Sequence, residues 1–121
     1  MAIPADYKFA ATHEWAKIDG DTALIGISDF AQAELGDLVF INLPEVGDSV
    51  AAGEAFADVE SVKAVSDIFS PLSGEVVEVN DAAIDDPSQI NADPWGTWLI
   101  KVSGIDGADA LMDAAAYEAQ L

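Results

Sequence analysis

The residue best placed to carry chemistry in this chain is a lysine at a predicted turn. Lys63 stands between two extended runs, Phe56 to Ser61 and Val65 to Ser70, with Val62 and Ala64 at its sides. Hairpin tips normally take Gly, Asn, Asp or Ser, because the backbone of the turn favours them. A protruding turn on a rigid sheet suits an amine that is acylated and carries a cofactor on a flexible stem. A solvated lysine without a function is the alternative.

Motifs for other kinds of chemistry are incomplete. His13-Glu14 begins like the zinc-protease signature, but Lys17 stands where the second histidine is needed. The chain has no cysteine, no Gly-x-Ser-x-Gly elbow and no glycine-rich phosphate loop. The acidic run from Asp81 to Asp93 has Asp86 where a calcium-binding EF-hand loop requires glycine. These patterns argue against a hydrolase, a metal site and nucleotide chemistry, and we interpret the acidic run as solvated loop charge.

The composition is that of a folded and very acidic domain. The 121 residues include 23 Asp and Glu against 4 Lys and Arg, a formal net charge of −19, and are 51% hydrophobic. Such a charge argues against binding to nucleic acid or an anionic membrane, and no apolar stretch approaches the roughly 20 residues of a membrane span. The first residues lack the features of a signal or transit peptide. We therefore expect one domain, residues 1–121, in the cytoplasm; a mature organellar form is the alternative.

The first elements that must position Lys63 are a hairpin and a short helix. Trp15 to Ile18 and Thr22 to Ile27 flank an Asp-Gly turn, which is a strong hairpin signal. Ser28 then has the character of an N-cap, and Gly36 that of a helix stop. The pattern predicts a helix near residues 28 to 36.

Short strands dominate the rest of the chain. We predict strands at Leu38 to Leu43, Glu75 to Val79 and Trp98 to Val102, and a polar surface loop from Asp81 to Pro94. A turn from Gly104 to Gly107 leads into a helical tail, whose apolar residues are Leu111, Ala114, Ala115 and Tyr117. Turn signals at such short intervals indicate a mainly β fold, a meander or sandwich.

Long stretches of the sequence resemble the glycine cleavage H-protein family. The segments Glu60 to Asp67 and Ser70 to Asn80 are similar to its lipoyl-attachment region. Gly47 and Gly74 stand sixteen residues before and eleven residues after Lys63, as in lipoyl and biotinyl domains. Further matches lie at residues 7–8, 13–15, 26–32, 35–37, 43–47 and 91–98.

The resemblance implies a fold and a function. The fold is a lipoyl-type barrel-sandwich hybrid of two small antiparallel sheets related by a pseudo-twofold, with a helix near 28–36 and a C-terminal helical segment. Lys63 would carry lipoic acid in amide linkage, and the protein would be a carrier and not an enzyme. Its partners would be glycine decarboxylase, aminomethyltransferase, dihydrolipoyl dehydrogenase and a lipoate-attaching enzyme. We expect a monomer.

Four other residues are candidates for roles around the arm. Glu60 and Gly47 are candidates for recognition by the lipoate-attaching enzyme, although Glu60 could be a solvated strand charge. Because a loaded aminomethyl group is cationic and labile in water, a carboxylate beside a parked arm would be favourable. Glu14 is the first candidate for this carboxylate and Asp67 the second. A partly exposed pairing of the amine with such a carboxylate would contribute about 1 kcal/mol. A surface acid without a function is the alternative for Glu14.

Other carriers remain possible from the residues themselves. A biotinyl domain usually sets its lysine between methionines, whereas Val62 and Ala64 stand here. A lipoyl domain of a 2-oxo acid dehydrogenase commonly has Asp directly before the lysine. An unmodified acidic structural protein is the remaining alternative. Two departures from the family are Phe30, where members often carry His or Tyr, and a Pro94 to Trp98 segment that is one residue shorter.

Overall fold

The computed structural model describes residues 3–121, which form nine strands and four short helices. The strands are β1 Lys8–Phe9, β2 Glu14–Asp19, β3 Thr22–Ile27, β4 Leu38–Asn42, β5 Ser49–Val50, β6 Ala55–Ser61, β7 Val65–Phe69, β8 Ser73–Val79 and β9 Ile100–Asp106. The helices are α1 Asp29–Leu35, α2 Asp81–Asp85, α3 Ser88–Ala92 and α4 Ala114–Gln120, with a 3-10 turn at Ala108–Ala110. No helix within residues 3–121 has the length and apolar character needed to cross a membrane.

The strands form two antiparallel sheets, as the predicted mainly β class requires. The larger sheet has the order β1-β2-β3-β9-β8-β5, and the smaller has the order β4-β6-β7. The predicted hairpin of β2 and β3 is confirmed, with Glu14 opposite Ile27 and a turn in which Gly20 has φ +62°. The fold therefore agrees with the lipoyl-type class predicted from the sequence.

The predicted lysine hairpin is also confirmed. Strands β6 and β7 pair from Ala55 opposite Phe69 to Glu60 opposite Val65, which leaves residues 62–64 as the tip. The Ser61 hydroxyl oxygen accepts hydrogen bonds from the amides of Lys63 (3.3 Å) and Ala64 (3.1 Å). The tip is thus an ordered turn, and Lys63 is exposed on it.

Helix α1 begins and ends where the sequence predicts. The Ser28 side chain accepts a hydrogen bond from the Ala31 amide, at 3.1 Å, and so caps the helix. At the other end Gly36 adopts φ +83°, and its amide donates to the Gln32 carbonyl. These local signals set both ends of the helix beside the small sheet.

The prediction of a surface loop from Asp81 to Pro94 was wrong. The segment forms the two one-turn helices α2 and α3, in which Ala83 and Ile90 are fully buried. Both residues pack into the cluster between α1 and the small sheet. Each turn buries only one residue, which gives too little periodicity to be detected in the sequence.

The end of the chain also differs from the prediction. Strand β9 begins at Ile100 and continues to Asp106, through residues that were predicted to turn, and the turn falls at Gly107 with φ +90°. In the predicted helical tail, Tyr117 is fully buried, whereas Ala115 is exposed. Tyr117 stacks on Phe9, with ring centroids 4.6 Å apart, and so fixes α4 against the large sheet.

Candidate functional site

A cavity of about 180 Å³ lies between α1 and the lysine hairpin. One wall comes from α1, through Phe30, Ala31, Glu34 and Leu35. The opposite wall comes from β6 and β7, through Val59 and three residues of β7: Ser66, Asp67 and Ile68. The segment from Thr12 to Glu14, together with Ile27, completes the cavity. Glu14 and Asp67, the two carboxylates predicted from the sequence, therefore share one cavity.

Glu14 lies at the buried side of this cavity, which differs from the partial exposure expected from the sequence. Only 4% of the residue is exposed, because β2 places it in the sheet opposite Ile27. Its carboxylate accepts hydrogen bonds from the Thr12 hydroxyl and, at 3.3 Å, from the Phe69 amide. Burial raises the pKa of Glu14 to about 7, and these hydrogen bonds only partly oppose the rise. The group therefore changes its charge near neutral pH.

His13 stands beside Glu14 in an unusual backbone conformation. It is the one non-glycine residue within 3–121 that has a positive φ, +76°. Its ring packs against the ring of Phe30, with centroids 4.5 Å apart, and its Nδ1 lies 2.7 Å from the Tyr117 hydroxyl. Burial lowers the pKa of His13, and Glu34 partly offsets this effect. Phe30, the departure from the family pattern, therefore supplies a ring contact to His13.

Tyr117 connects three distant parts of the chain. Its hydroxyl meets His13 on one side and donates to the Ser28 side chain, at 2.8 Å, on the other. The capping serine of α1, the strained histidine and the last helix are thus joined behind the cavity. Sequence reasoning placed Tyr117 in an apolar stripe and missed this role, because no local pattern links residues 13, 28 and 117.

The lysine tip is joined to the end of α1. The amide of Val62 donates to the Asp37 carbonyl at 3.0 Å. The same turn is held from α3 by Asn91, whose Oδ1 accepts from the Leu38 amide and whose Nδ2 donates to the Gly36 carbonyl, both at 2.9 Å. Asn91 is a second residue whose positioning role the sequence did not reveal.

The two residues predicted for enzyme recognition lie in different parts of the fold, Glu60 on the small sheet and Gly47 in the turn before the large sheet's β5. Glu60 is exposed on β6, opposite Val65 and three residues before the lysine. Gly47 lies before β5, and its amide donates to the Val76 carbonyl of β8 at 2.8 Å. Gly47 has φ +97°, a backbone conformation that residues with a side chain adopt only at a cost. The other lysines, Lys8, Lys17 and Lys101, lie within strands β1, β2 and β9.

The chain is similar to proteins of one family along nearly its whole length. The family model described as glycine cleavage H-protein matches residues 7–121. A glycine cleavage system H protein from Burkholderia vietnamiensis is 54% identical over 118 residues, which cover 95% of this chain and 94% of that protein. One from Rubrobacter xylanophilus is 56% identical over 110 residues, 90% and 87% of the two chains.

A solved structure shows the same similarity. The crystal structure of a glycine cleavage system H protein from Mycobacterium marinum superposes with a TM-score of 0.91. It is 46% identical, and the match covers 98% of each chain. The resemblance noted in the sequence is thereby confirmed in sequence and in fold.

Proposed function

This chain belongs to the glycine cleavage H-protein family and is the carrier protein of that system, and we propose that Lys63 bears its lipoyl group. The carrier takes an aminomethyl group from glycine decarboxylase to aminomethyltransferase and presents its dithiol to dihydrolipoyl dehydrogenase. It performs no catalysis of its own. The observation that carries the assignment to Lys63 is an exposed lysine on an ordered hairpin tip, next to an apolar cavity with a buried carboxyl.

The residues that line the cavity suit a lipoyl group attached to Lys63. A lipoyl group supplies the redox-active dithiolane and the thiol that takes the carbon unit, while the protein holds and orients it. Ile27, Leu35, Val59 and Ile68 give the cavity hydrocarbon walls suited to an aliphatic arm. The chain itself has no cysteine, so the dithiol meets no competing thiol on its own carrier.

Glu14 is the residue we propose to hold the loaded arm, with Asp67 as a second carboxylate. The carboxyl of Glu14 is already desolvated by the fold, so a cationic amine that approaches it favours the charged form. Its hydrogen bonds from Thr12 and Phe69 keep the group oriented toward one position. A hydrogen bond between such charged groups contributes about 2 kcal/mol. That is enough to bias the arm, and it leaves the transferase able to withdraw it.

The first experiment tests the attachment site. The protein is incubated with a lipoate ligase, and its intact mass and peptides are mapped for wild type, Lys63→Arg and Lys101→Arg. We expect one lipoyl group in wild type and in the Lys101 variant, and none after Lys63→Arg, because Lys101 lies within β9. Lipoylation of another lysine would contradict the proposal. Modification by a biotin ligase in its place would favour a biotinyl carrier.

The second experiment tests Glu14. The lifetime of the aminomethylated arm is measured without partner enzymes in wild type, Glu14→Gln and Glu34→Gln. Glu34 is an exposed carboxylate on the same cavity and serves as the control. We expect Glu14→Gln to shorten the lifetime about tenfold, as loss of 1–2 kcal/mol implies. Equal lifetimes in folded proteins would remove Glu14 from the mechanism, and Asp67→Asn then tests the second carboxylate.

Recognition by the lipoate-attaching enzyme forms a third proposal. Glu60 offers an exposed charge near the lysine, and Gly47 permits a turn that a side chain would strain. We expect slower lipoylation of Glu60→Gln than of Glu54→Gln, which alters an exposed acid directly before the same strand. Gly47→Val is compared with Gly53→Val, since Gly53 also has a positive φ, +82°. Unchanged rates in both tests would place recognition elsewhere.

The proposal extends to the state of the protein in the cell. We propose one domain over residues 1–121 that acts as a monomer in the cytoplasm, in keeping with the bacterial origin of the similar proteins. Light scattering on the purified protein tests the monomer, and fractionation of cells tests the compartment. A stable dimer would contradict the proposed monomer. A membrane-associated fraction would contradict the proposed cytoplasmic location.

A further inference from the structure

The side chain of Lys63 crosses the bare backbone at the end of α1. A Cβ placed on Gly36 would lie 3.2 Å from Cε of Lys63, and 4.0 Å from its Cδ and Nζ. A contact of 3.2 Å is tighter than ordinary van der Waals separation, so the lysine stem occupies space that a side chain at Gly36 would take. We call this gap between the Gly36 backbone and the hairpin tip the Gly36 notch.

Both sides of the Gly36 notch are fixed to each other. The Asn91 side chain holds the Gly36 carbonyl and the Leu38 amide, and the Asp37 carbonyl accepts from the Val62 amide on the hairpin tip. The turn and the tip therefore keep their separation. A methyl group added at Gly36 must therefore be accommodated by a shift of the Lys63 side chain.

The notch lies at one end of the cavity. Leu35, the neighbour of Gly36, lines the cavity, and the α1 wall continues from there to Phe30. Six residues of helix, at a rise of 1.5 Å each, span about 9 Å. Phe30 contacts His13, so the far end of this wall lies beside the segment that carries Glu14. An arm that leaves Lys63 across Gly36 is thus directed along α1 toward the buried carboxyl.

We propose that Gly36 is a positioning residue, which directs the lipoyl arm through the notch into the cavity. This proposal rests on the assignment of Lys63 as the attachment site. A side chain at Gly36 narrows the entrance and displaces the lysine stem, so the arm spends more of its time in water even though Lys63 can still be lipoylated. The free thiols and the carried group become more accessible as a result.

A purely conformational need for glycine is the competing explanation. Gly36 has φ +83°, which favours glycine whatever lies nearby. Gly53 provides a matched control, because it has φ +82° and a Cβ there would have no atom within 4 Å. Alanine at Gly36 and at Gly53 therefore places a side chain at a positive φ in both variants, and only the change at Gly36 obstructs the lysine.

The experiment compares lipoylated wild type, Gly36→Ala and Gly53→Ala. Each reduced protein is loaded with formaldehyde and ammonia, which join the arm thiol as an aminomethyl group with loss of water. Release raises the number of free thiols on the arm from one to two, which a chromogenic thiol reagent measures, and the chain adds none because it has no cysteine. We expect a several-fold shorter lifetime in Gly36→Ala and the wild-type lifetime in Gly53→Ala. Equal lifetimes in the two variants would overturn the proposal.

A second measurement needs no variant and guards against misfolding of Gly36→Ala. In the loaded wild-type protein, nuclear Overhauser effects are expected between the Gly36 α protons and the methylenes of the arm. Their absence, with effects seen from the arm to other residues or to none, would also overturn the proposal. If wild type is not lipoylated on Lys63, the attachment assignment fails, which intact mass distinguishes from a failure at Gly36.

Discussion

At the scale of single residues, Glu14 shows most clearly how a strand position can hold a buried carboxyl that titrates near neutral pH. An acidic residue whose side chain points to the buried face of a sheet normally destabilises the fold, because burial disfavours the charged carboxylate. Here two donors, from Thr12 and Phe69, keep the carboxyl hydrogen-bonded, and its pKa still rises to about 7. The fold thus holds a carboxyl that loses its proton and becomes charged when a cation approaches it at neutral pH.

This raised pKa predicts how stability depends on pH. The folded value of about 7 exceeds the ordinary 4.5, so the native state binds more protons between these two values. The stabilisation is complete below pH 4.5 and is lost as the pH rises through 7. It amounts to about 3 kcal/mol in the free energy of unfolding. When Glu14→Gln is unfolded in urea, its free energy of unfolding should not show this fall between pH 4.5 and 7.

The comparison must be made against another variant, because the chain has many other acids. Asp67→Asn removes an exposed carboxylate on the same cavity and is a suitable control. A pH dependence of stability that is the same in Glu14→Gln as in Asp67→Asn would contradict the prediction.

The Tyr117 hydroxyl gives a second prediction at this scale. Tyr117→Phe removes the group between His13 and Ser28 and should reduce the free energy of unfolding by about 1–2 kcal/mol. The imidazole ¹⁵N shifts of His13 should change as well, because Nδ1 loses its partner. Tyr7→Phe is the control, since that hydroxyl donates to the Trp95 carbonyl and not to His13. Unaltered His13 shifts in Tyr117→Phe would refute the arrangement.

At the scale of elements, the turn after α1 links a helix, a sheet and the lysine hairpin. Asn91→Ala removes the partners of the Gly36 carbonyl and the Leu38 amide. We expect a loss of about 2–3 kcal/mol in stability and faster hydrogen exchange at the Val62 amide, which bonds to the same turn. Asn42→Ala, which breaks an exposed contact to Asp58, should leave Val62 protected. Equal exchange in both variants would contradict this.

The elements differ in how well the sequence predicts them, and the reason is the range of their interactions. The cap at Ser28, the stop at Gly36 and the tip around Lys63 depend on chemistry within a few residues, and all were predicted. The helices α2 and α3 depend on burial of Ala83 and Ile90 against distant elements, which no local pattern contains.

The residues of the candidate site also differ in how well the sequence predicts them. Glu14 and Asp67 were singled out by resemblance and by distance along the chain from Lys63, and the structure places both on one cavity. The contacts of Asn91 and Tyr117 join segments 53 to 104 residues apart. Single-sequence reasoning has no access to such pairs.

At the scale of the whole molecule, the net charge of −19 sets the response to salt. Compaction brings like charges together, so screening should favour the folded state. We expect the free energy of unfolding to rise as sodium chloride increases from 0.01 to 0.15 M, where the Debye length falls from about 30 to about 8 Å. Changing Asp81, Asp85 and Asp86 to asparagine should weaken the rise. A stability that falls with salt in wild type would contradict the prediction.

The joining of His13 and Ser28 by Tyr117 also has a consequence for biosynthesis. The lysine hairpin is complete within residues 55–69, so a nascent chain can form it while translation continues. The wall behind the cavity needs Tyr117, which the ribosome adds well after the residues of the hairpin. The amine proposed for attachment is therefore synthesised before the cavity proposed for its arm can be complete, and the two are assembled at different times in the life of one molecule.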